Sequence, residues 1–263
     1  MSAIHESAPL THEFRDRVAW LAFNRPDKLN ALNSELLEEL IGVLGKLDRM
    51  RDIRVVVLHG AGKVFSAGAD LAEIEGLYRD PARSRQYLTL LRDAALGLER
   101  VRQPVIAAVH GMALAGGLEM MLACDLVIAE ESAKLGDQHM NWGFIPGGGS
   151  SQRLPRLVGA SRARDLLYTG RWIDANEARE IGLVARVVPT GTLLAEAEAF
   201  ATDLAARSGD ALARTKALVR HSQQLPLEQG LALEIETVIS YYAQPEFATG
   251  IEAFKARKPP EFP

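Results

Sequence analysis

The sequence of 263 residues is 48% hydrophobic and 24% charged, which supplies enough apolar material for one large buried core, with or without an appendage. Its formal charge is −4 at pH 7, so it lacks the global basic field that dominates affinity for a phosphate backbone. Composition therefore argues against nucleic acid as a partner, and against an RNA-binding role as the function.

The N-terminal segment lacks the apolar run of a secretory signal, because residues 1–17 carry charged or titratable side chains that include His5, Glu6, His12, Glu13 and Asp16. No stretch of the chain approaches the roughly 20 apolar residues of a membrane span. The single cysteine, Cys124, lies in an apolar segment and is interpreted as a buried small hydrophobic residue. We therefore expect a cytoplasmic protein that does not bind membranes.

Short β-branched runs separated by amphipathic segments indicate an α/β protein. The predicted strands are Val18 to Phe23, Val55 to Leu58, Val105 to Val109, Leu126 to Ala129 and Val184 to Val188. Runs that are apolar at nearly every position are typical of strands whose sheet is covered on both faces. Between them we expect a first helix capped by Asn33 or Ser34 and a second from about Ala82 to Val101.

The chain changes character after Pro189, where only helices are predicted. They run roughly over Leu193 to Ala206, Asp210 to His221, Leu227 to Tyr242 and Glu246 to Arg257. This divides the chain into an α/β core over residues 1–190 and a C-terminal helical region over residues 191–263. The apolar faces of these helices suit self-association, although packing on the core is the alternative.

The glycine-rich segments do not fit the known phosphate-binding loops. Gly60 to Lys63 is followed by Val64 where a P-loop requires Ser or Thr, and no GxGxxG follows the first predicted strand. The six histidines form no HExxH pair and there is no second cysteine, so no metal site is expected. Ser150 and Ser151 lie outside any GxSxG motif, which argues against a nucleophile elbow.

Two other glycine-containing segments are predicted to present free backbone amides. In Val64 to Leu71 a strand leads into a glycine turn, which leaves the amide of Ala69 available to an outside group. In Ala113 to Met121 two glycines precede a helix, whose first N–H groups, at Gly116, lack internal partners. Two donors that converge on one oxygen would stabilise an enolate. Taken singly, each segment is equally well explained by a tight turn.

Glu119 favours a functional interpretation of these turns. It lies at the start of an otherwise apolar helix from Leu118 to Cys124, and an unpaired carboxylate is rarely buried without a purpose. Burial raises the pKa of a carboxyl group toward the range useful for proton transfer, whereas a helix N-terminus favours its ionised form. Glu119 is therefore the first candidate for an acid/base residue.

Together these segments resemble the enoyl-CoA hydratase/isomerase (crotonase) family over almost the whole chain. The matching parts, in order, are residues 24–32, 65–71, 109–111, 115–119, 124–126, 143–147 and 152–154. The resemblance implies a spiral of ββα units, a C-terminal helical region that forms trimers, often paired as hexamers, and acyl-CoA thioester substrates. It implies no cofactor beyond the coenzyme A that the substrate carries.

Matched by position, the resemblance assigns the oxyanion-hole amides to Ala69 and Gly116, and the first catalytic glutamate to Glu119. The residues implied to line the channel for the adenine and pantetheine of coenzyme A are Lys28, Leu29, Ala67, Asp70 and Leu71. Lys255 falls where a basic residue approaches the CoA phosphates, including those of a neighbouring subunit, with a structural role as the alternative. Aromatic side chains are expected to shape the acyl pocket, unless they only pack: Trp142, Phe144, Tyr78 and Tyr87.

The sequence departs from the usual hydratase at the second catalytic glutamate, whose position is occupied by His139. In typical hydratases two carboxylates hold one water and exchange its protons with the alkene carbons. An imidazole has an unperturbed pKa near 6.5, so it can serve as acid or base at neutral pH, and a nearby carboxylate favours imidazolium. We expect Glu119 and His139 to form the acid/base pair. The alternatives are a structural His139 with Glu119 acting alone, and a lesser role for Asp137.

The reaction that best fits these residues is the reversible addition of water to a 2-enoyl-CoA, which is the lyase reaction of an enoyl-CoA hydratase. The same enolate also serves enoyl-CoA isomerisation, decarboxylation, and thioester or carbon–carbon hydrolysis. A non-catalytic acyl-CoA binder is the alternative from another class, and the presence of Glu119 argues against it. We expect a homotrimer, or a hexamer built from two trimers.

Overall fold

Six strands form the main sheet of the computed structural model, which describes residues 8–262. In their order across the sheet they are β1 (Leu10–Arg15), β2 (Val18–Phe23), β3 (Val55–Gly60), β4 (Val105–Val109), β6 (Leu126–Glu130) and β9 (Arg186–Val188). The strand β1 pairs antiparallel with β2, and every other pair is parallel. His5 and Glu6, which entered the argument against a secretory signal, lie outside the described residues.

A smaller sheet contains three short strands, in the order β5 (Met112–Leu114), β7 (Lys134–Gly136) and β8 (Ile173–Asp174). The chain alternates between the two sheets, because β4 is followed by β5 and β6 is followed by β7. After β3, Ser66 forms an isolated parallel bridge with Ala113 in β5 and so extends the same pattern. A helix follows each of these steps, which gives the predicted spiral of ββα units.

Eleven α-helices cover the sheets and the C-terminal part of residues 8–262, and none has the length and hydropathy of a membrane span. They are α1 (Ser34–Leu47), α2 (Leu71–Leu77), α3 (Pro81–Arg100), α4 (Gly116–Leu122), α5 (Ser150–Val158), α6 (Ala160–Thr169), α7 (Ala175–Glu180), α8 (Leu193–Ala205), α9 (Gly209–Ser222), α10 (Leu227–Tyr242) and α11 (Pro245–Ala256). Of the two predicted caps for α1, Asn33 is the one used, since its side chain accepts a hydrogen bond from Leu36 N–H at 3.2 Å.

The main sheet is buried on both faces, which explains why its strands are almost wholly apolar. Alternate residues of β2 point to opposite faces, so that Leu21 and Phe23 join the larger core cluster while Val18 and Trp20 join the smaller one. The helix α8 covers the smaller cluster with Leu193, Ala197, Ala201 and Ala205. This helix therefore belongs to the packing of the sheet, and the domain boundary placed at residue 190 stays a prediction.

The last three helices differ in how they are attached. The helix α9 is held by Lys216, whose ammonium donates to the carbonyls of Leu98 (2.8 Å) and Gln103 (2.9 Å) and pairs with Asp125 at 2.7 Å. Burial lowers the pKa of Lys216 and outweighs the opposing effect of Asp125. By contrast, α10 and α11 contain no buried residue. These two helices expose large apolar side chains: Leu227, Leu231, Ile235, Ile239, Tyr242 and Phe254.

Four strands were not predicted, and the last predicted strand is shorter than expected. The strand β1 was missed because it is an edge strand whose central residues, His12 to Phe14, are largely exposed and partly charged. The strands β5, β7 and β8 are only two or three residues long. The strand β9 begins at Arg186, since Val184 N–H donates instead to the carbonyl of Ala178 in a turn.

Candidate active site

The amide of Ala69 is presented by a β-type bridge between Leu32 and the segment 68–70. Leu32 N–H donates to the carbonyl of Gly68 at 2.8 Å, and Asp70 N–H donates to the carbonyl of Leu32 at 3.0 Å. Successive N–H groups of an extended chain point to opposite sides, so Ala69 N–H points away from Leu32. Within residues 8–262 it donates to no acceptor.

The amide of Gly116 begins helix α4 beside Ala69. Because Gly116 is the first residue of this helix, its N–H has no partner inside the helix, and no other acceptor lies in the described part of the chain. A Cβ atom built on Gly116 would lie 3.2 Å from the nitrogen of Ala69. The two free amides therefore belong to backbone segments that touch, as a two-donor oxyanion hole requires.

The backbone around these amides is strained. Ala115, which precedes α4, has φ 47° and ψ −118°, a conformation that residues with a Cβ rarely adopt. Gly68 has φ +112°, and a Cβ there would lie 3.0 Å from the carbonyl oxygen of Leu114 and 3.1 Å from the nitrogen of Gly116. Glycine at position 68 thus allows the close approach of the two segments.

Glu119 lies on α4, three residues beyond Gly116, and is only 1% exposed. Its Oε1 accepts hydrogen bonds from the backbone N–H of Gly148 at 2.8 Å and of Ser150 at 3.0 Å. A Cβ on Gly148 would come within 2.5 Å of Oε2, so glycine is needed there. The carboxylate is held through one oxygen, and Oε2 has no hydrogen-bond partner among the described residues.

The environment of Glu119 raises the pKa of its carboxyl group above the ordinary value. Burial is the largest cause, and the nearby charge of Asp137 adds to it. The N–H groups of Ser150 and Gly148 and the charge of His139 oppose the rise without cancelling it. The group is thereby moved toward the range in which it can both accept and release a proton near neutral pH.

His139 opens a short 3₁₀ helix, His139–Trp142, and its side chain is 14% exposed. Its Nδ1 lies 2.9 Å from Oδ1 of Asp137, whose side chain is fully buried. Burial alone would lower the pKa of His139, but the hydrogen bond and charge of Asp137, together with the charge of Glu119, raise it overall. The charge of Glu119 therefore acts on His139, and the raised pKa of His139 favours imidazolium.

The 3₁₀ helix is anchored by Gln138, a residue that the sequence did not single out. Gln138 has φ 62°, and its side-chain amide donates to the carbonyl of Gly170 at 2.6 Å. Its Oε1 accepts from the indole N–H of Trp172 at 2.7 Å. The loop that carries His139 is thus fixed by contacts that do not involve the side chain of Asp137.

The residues assigned to the CoA channel lie on two segments beside the first amide, residues 28–29 and residues 67–71. Ala67 N–H donates to the carbonyl of Leu29 at 2.9 Å, which joins these two positions, and the side chains of Lys28, Leu29 and Leu71 are exposed beside them. Asp70 instead pairs with Arg25 at 2.8 Å and caps α2. Burial raises the pKa of Asp70, but the hydrogen bond and charge of Arg25 outweigh this effect and lower the pKa overall.

Other predicted site residues are placed differently. Lys255 is exposed on α11, and within the described chain no hydrogen bond or ion pair joins it to the rest of the site. Trp142 is 75% exposed, just beyond His139, and Phe144 and Tyr78 are also exposed. Tyr87, in contrast, is buried on α3 and donates its hydroxyl hydrogen to the carbonyl of Leu32 at 2.8 Å. The aromatic group therefore does not form one cluster.

A cleft of about 780 Å³ borders the glycine loop on which Glu119 is held, between α3, α5 and α9. Two of the basic residues that line it already have acidic partners, since Arg153 pairs with Glu99 and Lys216 with Asp125. Within residues 8–262, no group of three His, Cys, Asp or Glu side chains could hold a metal ion. Cys124 lies in this cleft wall, and burial raises the pKa of its thiol.

Leu32, Gly148 and Ser150 build the site but were not recognised as such in the sequence, and Tyr87 was assigned to the acyl pocket and not to the support of Leu32. Leu32 contacts Gly68, 36 residues away in the sequence. Its 2.8 Å hydrogen bond with Tyr87 spans 55 residues. Gly148 and Ser150 lie 29 and 31 residues from Glu119. The run from Gly147 to Ser150 was tested only as a nucleophile motif, whereas its small residues also indicate a loop with exposed amides.

Comparison with known proteins extends over nearly the full chain. The sequence model of a family described as "Enoyl-CoA hydratase/isomerase" matches residues 13–263. A protein of Rhizobium meliloti (strain 1021), named "Probable enoyl-CoA hydratase", is 42% identical over 254 residues, 95% of this chain and 96% of that protein. A "Short-chain-enoyl-CoA hydratase" of Clostridium acetobutylicum is 35% identical and covers 92% of each chain. The crystal structure of an enoyl-CoA hydratase from Bacillus anthracis matches with a TM-score of 0.93 and 38% identity, covering 97% of this chain and 98% of that one.

Proposed function

The chain belongs to the enoyl-CoA hydratase/isomerase family, and we propose that it catalyses the reversible addition of water to a 2-enoyl-CoA thioester. One observation carries the proposal. The unpaired amides of Ala69 and Gly116 lie on touching segments, and the buried carboxylate of Glu119 lies three residues along the same helix. This arrangement can hold a carbonyl oxygen and transfer a proton close to it.

The two amides would stabilise the negative charge that develops during addition. Water attacks the β carbon, and the electrons of the double bond move toward the thioester carbonyl to form an enolate. Ala69 N–H and Gly116 N–H donate to that oxygen, and their directions are already fixed by the folded backbone. A preorganised donor of this kind is worth about 3 kcal/mol of transition-state stabilisation.

Glu119 and His139 would divide the proton transfers between them. As the oxygen of water bonds to the β carbon, one water proton goes to the carboxylate of Glu119, while the imidazolium of His139 gives a proton to the α carbon of the enolate. The raised pKa of each group suits its part. A proton then passes from Glu119 to His139 through solvent, which restores both groups, and no separate cofactor or metal is required.

Substrate binding would use the surface that leads to Ala69. We propose that Lys28, Leu29, Ala67, Asp70 and Leu71 line the CoA channel, with Asp70 acting through its pair with Arg25 and through the cap of α2. Trp142 would lie at the acyl end. Within the described residues, no hydrogen bond or ion pair joins Lys255 to this surface, and we propose that it serves the CoA phosphates of a neighbouring subunit. We propose that the protein is cytoplasmic and forms a homotrimer, or a hexamer of two trimers.

The test is hydration of 2-butenoyl-CoA and longer 2-enoyl-CoAs by the full chain. The reaction is monitored by the loss of absorbance of the conjugated thioester. Glu119→Gln should lower kcat by about 10²- to 10⁴-fold, because an acid/base group is lost. Binding of acetyl-CoA should change little. Glu38→Gln, at an exposed position of α1, is the matched control and should retain activity. Full activity of Glu119→Gln, or no hydration by the wild-type chain, would overturn the proposal.

Isomerisation of a 3-enoyl-CoA is the second candidate, because its proton shuttle needs one base and Glu119 Oε2 is unpartnered. The same preparation should be offered 3-enoyl-CoA in deuterated water. Deuterium that enters the product without net addition of water identifies isomerisation, whereas a 3-hydroxyacyl-CoA product identifies hydration.

A further inference from the structure

Asp137 raises the pKa of His139, and its buried pairing with the imidazole also has a geometric consequence. The carboxylate of Asp137 is fully buried, its Oδ1 lies 2.9 Å from Nδ1 of His139, and its Oδ2 has no hydrogen-bond partner among the described residues. Such a carboxylate loses its hydration without gaining a second donor, which costs free energy. Its contact with His139 is therefore its principal compensation.

We propose that Asp137 is a positioning residue of this active site: it holds the His139 ring with Nδ1–H toward itself, so that Nε2–H is the donor to the α carbon. The inference rests on the proposed function, in which His139 supplies that proton. A neutral imidazole carries hydrogen on one nitrogen only, and the partner of that nitrogen decides which one. A carboxylate on Nδ1 selects the form in which Nε2 exchanges the proton with the substrate.

The fold does not need the Asp137 side chain to place this loop. The backbone already joins the two residues, since His139 N–H donates to the carbonyl of Asp137 at 2.8 Å. Gln138 ties the same loop to Gly170 and Trp172. Since the loop does not need the Asp137 carboxylate as an anchor, we explain this buried charge by its effect on the imidazole of His139.

The charges around His139 determine the pH dependence. Asp137 faces it from the preceding residues and Glu119 faces it from α4, and both raise its pKa above 6.5, while burial opposes them. A raised pKa increases the fraction of His139 that is protonated at a given pH. Activity that depends on this proton is present below the pKa of His139 and is lost as the pH rises through it. Removal of the Asp137 charge should therefore move the alkaline limb to lower pH.

The decisive variant is Asp137→Asn, which keeps the size of the side chain and removes its charge. Its amide can donate to Nδ1 and so select the opposite ring form. We expect kcat for hydration to fall by about 10²- to 10⁴-fold, and the alkaline limb to move down by about one to three pH units. Acetyl-CoA binding, measured by calorimetry, should be retained. Asp203→Asn, whose side chain is 73% exposed on α8, is the control and should change neither quantity.

A double substitution tests whether Asp137 acts through His139. In a His139→Gln background, Asp137→Asn should cause no further loss of kcat, because residues that act as a unit are non-additive. Equal losses in both backgrounds would show that Asp137 acts independently of the imidazole, and would overturn the proposal. An unchanged alkaline limb in Asp137→Asn would overturn it as well.

Nuclear magnetic resonance separates this inference from the proposed function. The His139 signal, assigned by its absence in His139→Gln, should titrate above pH 6.5 in the wild-type chain and at lower pH in Asp137→Asn. This readout needs no turnover, so it stands even if the chain hydrates no 2-enoyl-CoA. A wild-type His139 that titrates below pH 6.5 would refute the proposal, and this measurement remains possible if Asp137→Asn does not fold.

Discussion

A methyl group in place of one hydrogen of Gly116 would lie beside the proposed oxyanion hole. A Cβ at this position would lie 3.2 Å from the nitrogen of Ala69, 3.3 Å from Leu32 and 3.4 Å from the carbonyl carbon of Gly68. These contacts are tight, but small shifts can relieve them. The methyl group would then crowd the Ala69 amide, which is proposed to bind the carbonyl oxygen.

Gly116→Ala should therefore lower kcat by about 10²-fold or more, comparable to the loss of one oxyanion donor. Thermal unfolding should show a loss of about 1 to 3 kcal/mol in the free energy of unfolding, the usual cost of overpacking, so the variant should remain folded. Gly42→Ala is the matched control, because a Cβ at Gly42 on α1 meets no atom within 4 Å. Normal turnover by Gly116→Ala would mean that the carbonyl binds elsewhere.

Residue-level prediction from sequence reached the groups that carry chemistry but not the groups that hold them. Glu119 could be found because a carboxylate interrupts an apolar helix, and His139 because the resemblance assigns a glutamate to its position. Asp137 was named as a lesser candidate because it lies two residues before His139 in the sequence. The amides of Gly148 and Ser150 bind Glu119 from 29 and 31 residues away, and no local pattern marks such a contact.

Helix α3 is linked to the segment of the Ala69 amide through Leu32, and this link is a property of elements rather than of single residues. Tyr87 reaches from α3 to the carbonyl of Leu32, and Leu32 in turn holds Gly68 and Asp70 on either side of Ala69. Burial raises the pKa of Tyr87, so its hydroxyl stays protonated and donates at neutral pH. The helix is thus joined to the amide through one backbone group.

Removal of this hydroxyl in Tyr87→Phe should lower the free energy of unfolding by about 1 kcal/mol, the typical net value of one hydrogen bond. A looser Leu32 would let the Ala69 amide shift, and we expect kcat to fall by about 10-fold with little change in CoA affinity. Tyr168→Phe, at an exposed position of α6, provides the comparison. If stability falls while kcat stays the same, the hydroxyl serves the fold alone.

At the level of elements, prediction succeeded where burial leaves a pattern. The strands β2, β3, β4 and β6 are covered on both faces, so each appears as an apolar run. The strand β1 has only one neighbour and admits His12 and Glu13, which hides it. The helices α8 to α11 could be predicted because proline and glycine separate them, whereas the packing of α8 on the sheet could not.

The outer surface of α10 is the feature that concerns the whole molecule. Leu227, Leu231, Ile235 and Ile239 recur every four residues along this helix, and all four are exposed. A monomer rarely exposes an apolar stripe of this length. The stripe therefore fits association with further copies of this chain, as proposed for the oligomer.

Sedimentation at micromolar concentration should show a trimer or hexamer for the wild-type chain. Ile235→Lys should shift it toward monomer, because an ammonium would have to be buried in the interface. Glu236→Lys also adds positive charge at an exposed position of α10 and should keep the assembly. A monomeric wild-type chain would exclude the oligomer and, with it, the role of Lys255 in a neighbouring subunit.

The ammonium of Lys216 joins helix α9 to the part of the chain that contains the proposed active site. Without it, the carbonyls of Leu98 and Gln103 would be left buried and unsatisfied, at about 1 to 3 kcal/mol each, and Asp125 would lose its ion pair. Asp125 also accepts the N–H of Val105, at the start of the strand that runs toward β5 and α4. A chain shortened before α9 would consequently weaken β4, the strand that leads to Gly116 and Glu119. Truncation far from the proposed thioester site should therefore still abolish catalysis.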